Sequence, residues 1–93
     1  MGKALKELKR ELMENPEFAR AYEDIQPEIM LMRAITEARE NLNLTQQEVA
    51  ERTGIAQTEI SKLENGTRNP SIKLLQRFAD GLGYKLQISF VPR

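Results

Sequence analysis

The chain has no cysteine, no histidine and no tryptophan among its 93 residues. The absence of cysteine excludes a disulfide framework and a thiolate zinc site. The absence of histidine removes the commonest metal ligand and the commonest catalytic base. No nucleophile–base pair or metal-ligand cluster stands out among the remaining residues. We therefore expect neither an enzyme nor a cofactor.

Long hydrophobic runs and a signal peptide are also missing from the sequence. Hydrophobic residues make up 40% of the chain, but their runs are far too short to cross a bilayer. We therefore expect a cytoplasmic protein with no membrane partner. The length fits one small domain with a modest core, which oligomerisation would help to stabilise.

The net charge is zero, which on its own argues against a nucleic-acid binder. The charges are, however, divided unevenly along the chain. Residues 1–60 contain eight basic and twelve acidic side chains, whereas residues 61–93 contain six basic and two acidic ones. This division indicates two partners of different charge. A basic partner would suit the acidic residues 1–60, and an acidic partner would suit the basic residues 61–93.

The stretch Thr45–Asn69, TQQEVAERTGIAQTEISKLENGTRN, predicts two short helices joined by a tight turn. Thr45 and Glu48 have the spacing of a capping box, which starts a helix. Gly54 stands where that helix must end in a left-handed conformation. The second helix leaves an outward face of short polar side chains, as a helix entering the major groove does. Side chains predicted to face inward are Val49, Ala50, Thr53, Ile55, Ile60 and Leu63.

Further helices are predicted on both sides of this pair. One amphipathic helix covers residues 3–14, and a second begins at Asn15 and is expected to break or kink after Gln26, at Pro27. A third helix follows over residues 27–42, and Ser71 caps a last one. The inward side chains predicted on these last two helices are Leu31, Ile35, Ala38, Leu42, Ile72, Leu75, Phe78, Ala79 and Leu82.

Residues 84–91 follow strand spacing instead, with apolar side chains at every second position. These candidate dimerisation residues are Tyr84, Leu86, Ile88 and Phe90. A lone strand leaves its backbone groups unpaired and is not stable by itself. We expect it to pair with the same segment of a second copy across a two-fold axis, which gives a homodimer. Pairing with another protein and a loose tail are the alternatives.

The spacing of the small alanine, the turn glycine, the isoleucine and the leucine, followed by LENG and NPS, makes residues 35–82 resemble the helix-turn-helix of the Xre/Cro repressor family. The resemblance implies a mainly α fold, with N-terminal helices followed by a five-helix Xre/Cro-like (lambda repressor-like) domain over residues 27–83. A short C-terminal β-strand over residues 84–93 would complete it. Double-stranded operator DNA is the implied partner. A generic helical hairpin with a polar surface is the alternative.

The same resemblance assigns roles to single residues. Gln46 would contact a phosphate, while Gln57, Thr58 and Lys62 would touch base edges. Glu59 would accept from cytosine or limit indiscriminate binding, and the loop after the second helix would hold phosphates. Arg39 and Glu64 match an ion pair that joins the first and third helices of such repressors. The alternative for each candidate is a solvent-exposed polar side chain with no role in DNA binding. The candidate DNA-binding residues are Gln46, Gln57, Thr58, Glu59, Ser61, Lys62, Asn65, Thr67, Arg68 and Asn69.

The N-terminal pattern LKEL…NPEF…Y, the central domain and the strand-like tail together resemble HigA-type antitoxins of bacterial type II toxin–antitoxin modules. This resemblance implies direct neutralisation of a RelE/HigB-like mRNA-cleaving toxin, and repression of the shared operon by a dimer on a palindromic operator. Residues 1–26 would bind the toxin, and their acidic surroundings suit a basic partner. The candidate contacts are Leu5, Leu8, Leu12, Phe18 and Tyr22, with an additional packing layer as the alternative. A stand-alone Xre-type regulator, and an interaction module that no longer binds DNA, remain the other readings.

Overall fold

The computed structural model describes residues 5–93. The side chain of Leu5, a candidate toxin contact, lies outside the described residues. Five helices occur in the described range, and they confirm the mainly α fold class. None of these helices is long and apolar enough to cross a membrane. They are α1 Leu5–Met13, α2 Pro16–Asn41, α3 Gln46–Thr53, α4 Gln57–Asn65 and α5 Ile72–Leu82.

The chain divides into two compact units, with the boundary between Met30 and Leu31. In the first unit, the side-chain oxygen of Asn15 accepts hydrogen bonds from the amides of Glu17 and Phe18, at 2.9 and 3.4 Å. Such bonds satisfy donors that a helix start leaves unpaired. The predicted cap at Asn15 is therefore confirmed.

The break that was one of the two expectations at Pro27 is wrong, because α2 continues without interruption through this residue. A proline inside a helix removes one N–H donor and leaves the carbonyl four residues earlier without its helical partner. Pro27 and Glu23 both lie at exposed positions of the helix. The helix-forming residues on either side therefore outweigh a local cost of about 3 kcal/mol.

A small hydrophobic core holds the second unit together. α3 packs against both α4 and α5, and the end of α2 contributes Ile35. Val49 and Ile60 are fully buried, and each such side chain contributes roughly 1.5–3 kcal/mol. The inward faces predicted for α3 and α4 are confirmed. The buried core residues are Ile35, Val49, Ile55, Ile60, Leu63, Phe78, Ala79 and Leu82.

Three details of the predicted helical domain are corrected by the structure. Leu42 and Ile72 are 37% and 55% exposed, although both were predicted to face inward. Leu42 follows the end of α2 and Ile72 is the first residue of α5, so both lie past the buried part of their helix. Leu74 packs against the core in their place. Residues 27–83 contain four helices rather than five.

No strand is present in the described part of the chain, so the predicted strand over residues 84–93 is absent from the single chain. A strand needs a neighbour for its backbone groups, and no other segment has strand spacing. Tyr84 is held by helices instead: its N–H donates to the Ala79 carbonyl at 2.8 Å and its hydroxyl to the Ala38 carbonyl at 3.1 Å. Leu86 is half-buried next to it.

Candidate nucleic-acid interface

The start of α3 is fixed by the predicted capping box. The Thr45 hydroxyl accepts from the Glu48 amide at 3.1 Å, and the Glu48 carboxylate accepts from the Thr45 amide at 2.9 Å. The bond from the Thr45 backbone lowers the pKa of Glu48. Gln46 is thereby the first residue of α3, where the helix dipole favours a phosphate. It is half-buried, and its side chain helps to lower the pKa of Glu64.

The turn between α3 and α4 depends on one glycine and one threonine. Gly54 has a φ of +73°, which favours glycine, and its N–H donates to the Ala50 carbonyl at 2.9 Å. The buried Thr53 hydroxyl donates to the Val49 carbonyl at 2.8 Å and accepts from the Ile55 amide at 3.2 Å. These bonds satisfy the buried polar groups of the turn and fix the angle between the two helices. The role predicted for Gly54 is confirmed.

Arg77 holds the same turn from α5. Its Nε donates to the Thr53 carbonyl at 3.2 Å, and its Nη2 donates to the Gly54 carbonyl at 2.8 Å. The last carbonyls of a helix lack partners within the helix, and a cation there also suits the helix dipole. The role of Arg77 was not predicted from the sequence. The sequence shows that Arg77 is basic, but Arg77 lies 23 positions after Gly54. Because only the fold brings the two residues together, the contact does not follow from the sequence.

A bidentate ion pair joins the end of α2 to the end of α4. The Nε and Nη2 atoms of Arg39 donate to the two Glu64 oxygens at 2.8 and 2.9 Å, and Nη1 donates to the Leu44 carbonyl at 2.9 Å. The Thr36 hydroxyl also donates to Glu64, at 3.3 Å. Burial raises the pKa of Glu64, but the hydrogen bonds and charge of Arg39 outweigh it and hold that pKa below its usual value. The predicted structural pair is confirmed.

The outward side of α4 is open to solvent in the single chain. Gln57, Thr58 and Lys62 are exposed, and the Lys62 side chain retains 54% of its accessible surface. Ser61 lies half-buried at the edge of this face, while Ile60 on the opposite side is fully buried. α4 therefore combines an apolar seam with a polar face that the rest of the second unit leaves uncovered.

Glu59 occupies a different environment from its neighbours on α4. Its carboxylate oxygens lie 3.0 Å from Nη1 of Arg68 and 3.9 Å from Nζ of Lys62. The side chain is only 26% exposed, and its Oε2 atom is buried without a well-aligned hydrogen bond. Glu59 therefore faces two cations that are themselves candidate DNA contacts.

The loop after α4 carries the remaining candidate contacts. The side-chain oxygen of Asn65 accepts from the amide of Thr67 at 3.1 Å and from its hydroxyl at 2.7 Å. This bonding shapes the loop, so Asn65 and Thr67 have an internal role in the free chain. Arg68 and Asn69 are exposed beside α4, with 45% of the Arg68 side chain accessible. The loop thus brings a basic and an amide side chain to the polar face.

Residues 35–88 match the family model described as helix-turn-helix. The match includes all of α3, α4 and α5 and covers more than half of the chain. The chain belongs to this helix-turn-helix family. The Xre/Cro-type resemblance is thereby confirmed for the domain that carries the polar face.

Relatives of this helix-turn-helix protein include two uncharacterized HTH-type transcriptional regulators. The one from Methanothermobacter thermautotrophicus is 47% identical over 49 residues, which are 53% of this chain and 71% of the relative. The one from Archaeoglobus fulgidus is 39% identical over 57 residues, which are 61% of this chain and 80% of the relative. Together with the family match, these relatives make the chain a helix-turn-helix transcription regulator.

A third relative is an antitoxin. Antitoxin HigA1 of Mycobacterium tuberculosis is 32% identical over 74 residues, which are 80% of this chain. This helix-turn-helix protein spans half the length of that relative. No solved structure matches the chain.

Proposed function

We propose that this transcription regulator is an antitoxin and autorepressor. In this proposal it neutralises a RelE/HigB-like mRNA-cleaving toxin by direct binding, and it binds a palindromic operator as a dimer. The observation that carries the proposal is the open polar face of α4 beside the basic loop. The toxin and dimer parts rest on exposed apolar side chains at the two ends of the chain.

The α4 face has the donors and acceptors that base reading requires. The Gln57 amide can pair with adenine, the Thr58 methyl can contact thymine, and the Lys62 ammonium can donate to guanine. Arg68 and Asn69 in the loop would contact phosphates and set the register of the protein on the duplex. The first turn of α3, at Gln46, would add a phosphate contact, as helix starts commonly do.

The toxin half of the proposal rests on the first unit. Leu8 and Leu12 lie one helical turn apart on α1, and they are 46% and 40% exposed. Phe18 and Tyr22 are half-buried, and their stacked rings have centroids 6.2 Å apart. The aromatic pair therefore contributes internal packing as well as surface. An amphipathic helix of this kind suits a groove on a partner protein.

The similarity to antitoxin HigA1 supports the same half. Its 74 aligned residues exceed the length of the helix-turn-helix match over residues 35–88. The likeness therefore reaches beyond the DNA-binding part of the chain. Residues 1–60 contain four more acidic than basic side chains, which would favour a basic toxin.

The dimer part rests on the C-terminal tail. Ile88 is 59% exposed and Phe90 is fully exposed, whereas Tyr84 and Leu86 line an open groove of about 280 Å³ in the second unit. Antiparallel pairing of two tails would satisfy their backbone groups and cover Ile88 and Phe90. Such a dimer would place two α4 helices in successive major grooves about 34 Å apart.

DNA reading is tested by selecting duplexes from a random pool and measuring affinity for the best site. The substitutions Gln57→Ala and Lys62→Ala should each cost about 1–3 kcal/mol if they contact bases. The matched controls Gln76→Ala and Lys73→Ala change exposed residues of α5 and should bind like the wild type. A selected site that both α4 variants bind at full strength would show that Gln57 and Lys62 are not the residues that read DNA.

Toxin binding is tested with any small basic protein that a gene flanking this one encodes. The double substitution Leu8→Ser and Leu12→Ser should abolish a complex on size exclusion and the rescue of growth during co-expression. Ile72→Ser is the control, since Ile72 is an exposed apolar residue of the second unit. If the wild-type chain forms no complex with this neighbour, the antitoxin half is wrong and a stand-alone regulator remains.

Dimerisation is tested by sedimentation. Ile88→Asp and Phe90→Asp should shift the chain to monomer and weaken operator binding. Val91→Asp introduces the same charge at an exposed tail position of the opposite strand face and should leave the dimer intact. A dimer that survives both of the first two changes does not depend on the tail.

A further inference from the structure

Glu59 is the acidic member of the candidate DNA contacts, and its surroundings differ from those of a base-reading side chain. A carboxylate that reads cytosine must offer a free oxygen to the base edge. One oxygen of Glu59 is instead buried next to Arg68 Nη1 at 3.0 Å, and the other lies 3.9 Å from Lys62 Nζ. The carboxylate is therefore already ion-paired with Arg68 on the α4 surface, while Lys62 lies beyond hydrogen-bonding distance of it.

Both cations keep donors for a second partner. The Arg68 and Lys62 side chains are 45% and 54% exposed. A guanidinium has five N–H donors and an ammonium has three, so a contact with one carboxylate does not exhaust either group. Each cation can therefore hold Glu59 and still donate to DNA.

The ion pair of Glu59 and Arg68 also links the start of α4 to the loop that follows this helix. Glu59 lies in the first turn of α4, whereas Arg68 lies in the loop that follows the helix. Without this contact, nothing in the described hydrogen bonds and ion pairs joins the Arg68 side chain to α4. Among the described polar contacts, the one with Glu59 therefore ties the loop cation to α4.

We propose that Glu59 is a positioning residue for DNA recognition. It fixes Arg68, and to a lesser degree Lys62, at one place on the α4 surface, so that their contacts are made in a single register. It does not itself touch a base. This inference rests on the proposed DNA-binding function and deepens it by assigning sequence discrimination to a residue behind the contacts.

Two substitutions at Glu59 distinguish the effect of its negative charge from the effect of its side-chain length. Glu59→Gln keeps the length of the side chain and removes its charge, whereas Glu59→Asp keeps the charge and shortens the reach. Affinity is measured by fluorescence anisotropy for the duplex selected by the wild type and for a scrambled duplex of the same composition. Glu51→Gln, an exposed acid on α3, is the control for loss of one negative charge.

We expect both Glu59 variants to lower the ratio of selected to scrambled affinity by about tenfold, as loss of one well-placed contact would. Glu59→Gln should also raise affinity for the scrambled duplex by about threefold, because a charge near the phosphates is removed. Glu51→Gln should change both affinities equally and leave the ratio unchanged. Circular dichroism melts check that each variant is folded. A lower ratio of selected to scrambled affinity then reports weaker DNA recognition and not unfolding.

A double-mutant cycle with Arg68→Gln tests the route of the effect. If Glu59 acts through Arg68, the change Glu59→Gln should alter the ratio far less when Arg68 is already glutamine. Independent, additive effects of the two substitutions would overturn the inference. So would a ratio that Glu59→Gln leaves unchanged, which is the behaviour of an acid that only complements the helix dipole.

A repeated selection with Glu59→Gln provides the remaining check. A preference lost at a single cytosine position would identify Glu59 as a base reader and overturn the inference, whereas weaker preference across several positions supports it. The wild type decides the underlying function separately. If it shows no preference for any duplex, the proposed DNA reading fails, whereas a wild-type preference with unchanged Glu59 variants overturns only the positioning role.

Discussion

Replacing Gly81 by alanine should destabilise the second unit, although the same change stabilises most helices. Gly81 is the tenth residue of α5 and faces the end of α3. A Cβ atom at this position would lie 2.7 Å from Thr53 Cγ2, 2.8 Å from Thr53 Cα and 3.1 Å from the Arg52 carbonyl oxygen. Two of these neighbours are backbone atoms, so no rotamer change can remove the overlap.

The expected magnitude follows from two opposing effects. Alanine is favoured over glycine inside a helix by about 1 kcal/mol. Forcing a methyl group into a packed contact costs typically about 1–3 kcal/mol, and contact with backbone places this case at the upper end. The net loss should be about 2 kcal/mol of unfolding free energy. For a chain of this size, that loss corresponds to a fall in Tm of roughly 8–16 °C.

Urea unfolding followed by circular dichroism measures this loss directly. The control is Gln76→Ala, an exposed change in the same helix that should alter the unfolding free energy by about 0.5 kcal/mol or less. Equal or greater stability of Gly81→Ala would refute the reasoning, because α3 and α5 could not then cross as closely as the structure has them.

Three further changes test the turn and the ion pair. Arg77→Ala should cost about 1 kcal/mol in urea unfolding, since the carbonyl of Gly54 loses its donor; an unchanged midpoint would contradict this role. Thr53→Val should cost about 1–3 kcal/mol by leaving the Ile55 amide unpaired; a neutral result in the same assay would contradict the bond. The pKa of Glu64 is lower in the folded state than in the unfolded state. The stability that ionised Glu64 gives to the fold should therefore be complete above about pH 4.3, the pKa of an unperturbed glutamate. It should disappear as the pH falls through the pKa that Glu64 has in the folded state. Unfolding measured from pH 6 to pH 3 should show this loss in the wild type, and Glu64→Gln should flatten it; parallel curves would contradict the assignment.

Local chemistry explains why the helix-turn-helix was predictable. The capping box of Thr45 and Glu48, the left-handed Gly54 and the cap at Ser71 each depend on neighbours within a few residues. The inward positions of α3 and α4 follow from helical spacing alone. Such features can be read from a sequence because the partners of each residue are close along the chain.

Features that depend on the fold were not predictable in the same way. The close approach at Gly81 and the clamp by Arg77 join residues that are far apart in sequence. α2 passes through Pro27 at an exposed position, whereas the sequence rule for proline predicts a break or kink there. The tail beginning at Tyr84 has strand spacing, but strand formation needs a second strand that one chain does not supply.

The candidate contacts divide along the same line. The exposed polar face at Gln57, Thr58 and Lys62 followed from the apolar seam on the other side of α4. The engagement of Glu59 by Arg68 did not, because it depends on how the loop after α4 folds back. The polar face of α4 can therefore be predicted from the sequence, whereas the structure shows which side chains on this face are exposed and which are ion-paired.

The central claim is that the open face of α4 meets a DNA duplex. Titration of the ¹⁵N-labelled chain with its selected duplex, followed by amide NMR shifts, tests this claim most directly. The account predicts that the largest shifts occur at residues 57–62 and 65–69 and at the start of α3, and that the exposed side of α5 around Gln76 changes little. Large shifts confined to other surfaces, with the amides of α4 unchanged at saturation, would contradict the account.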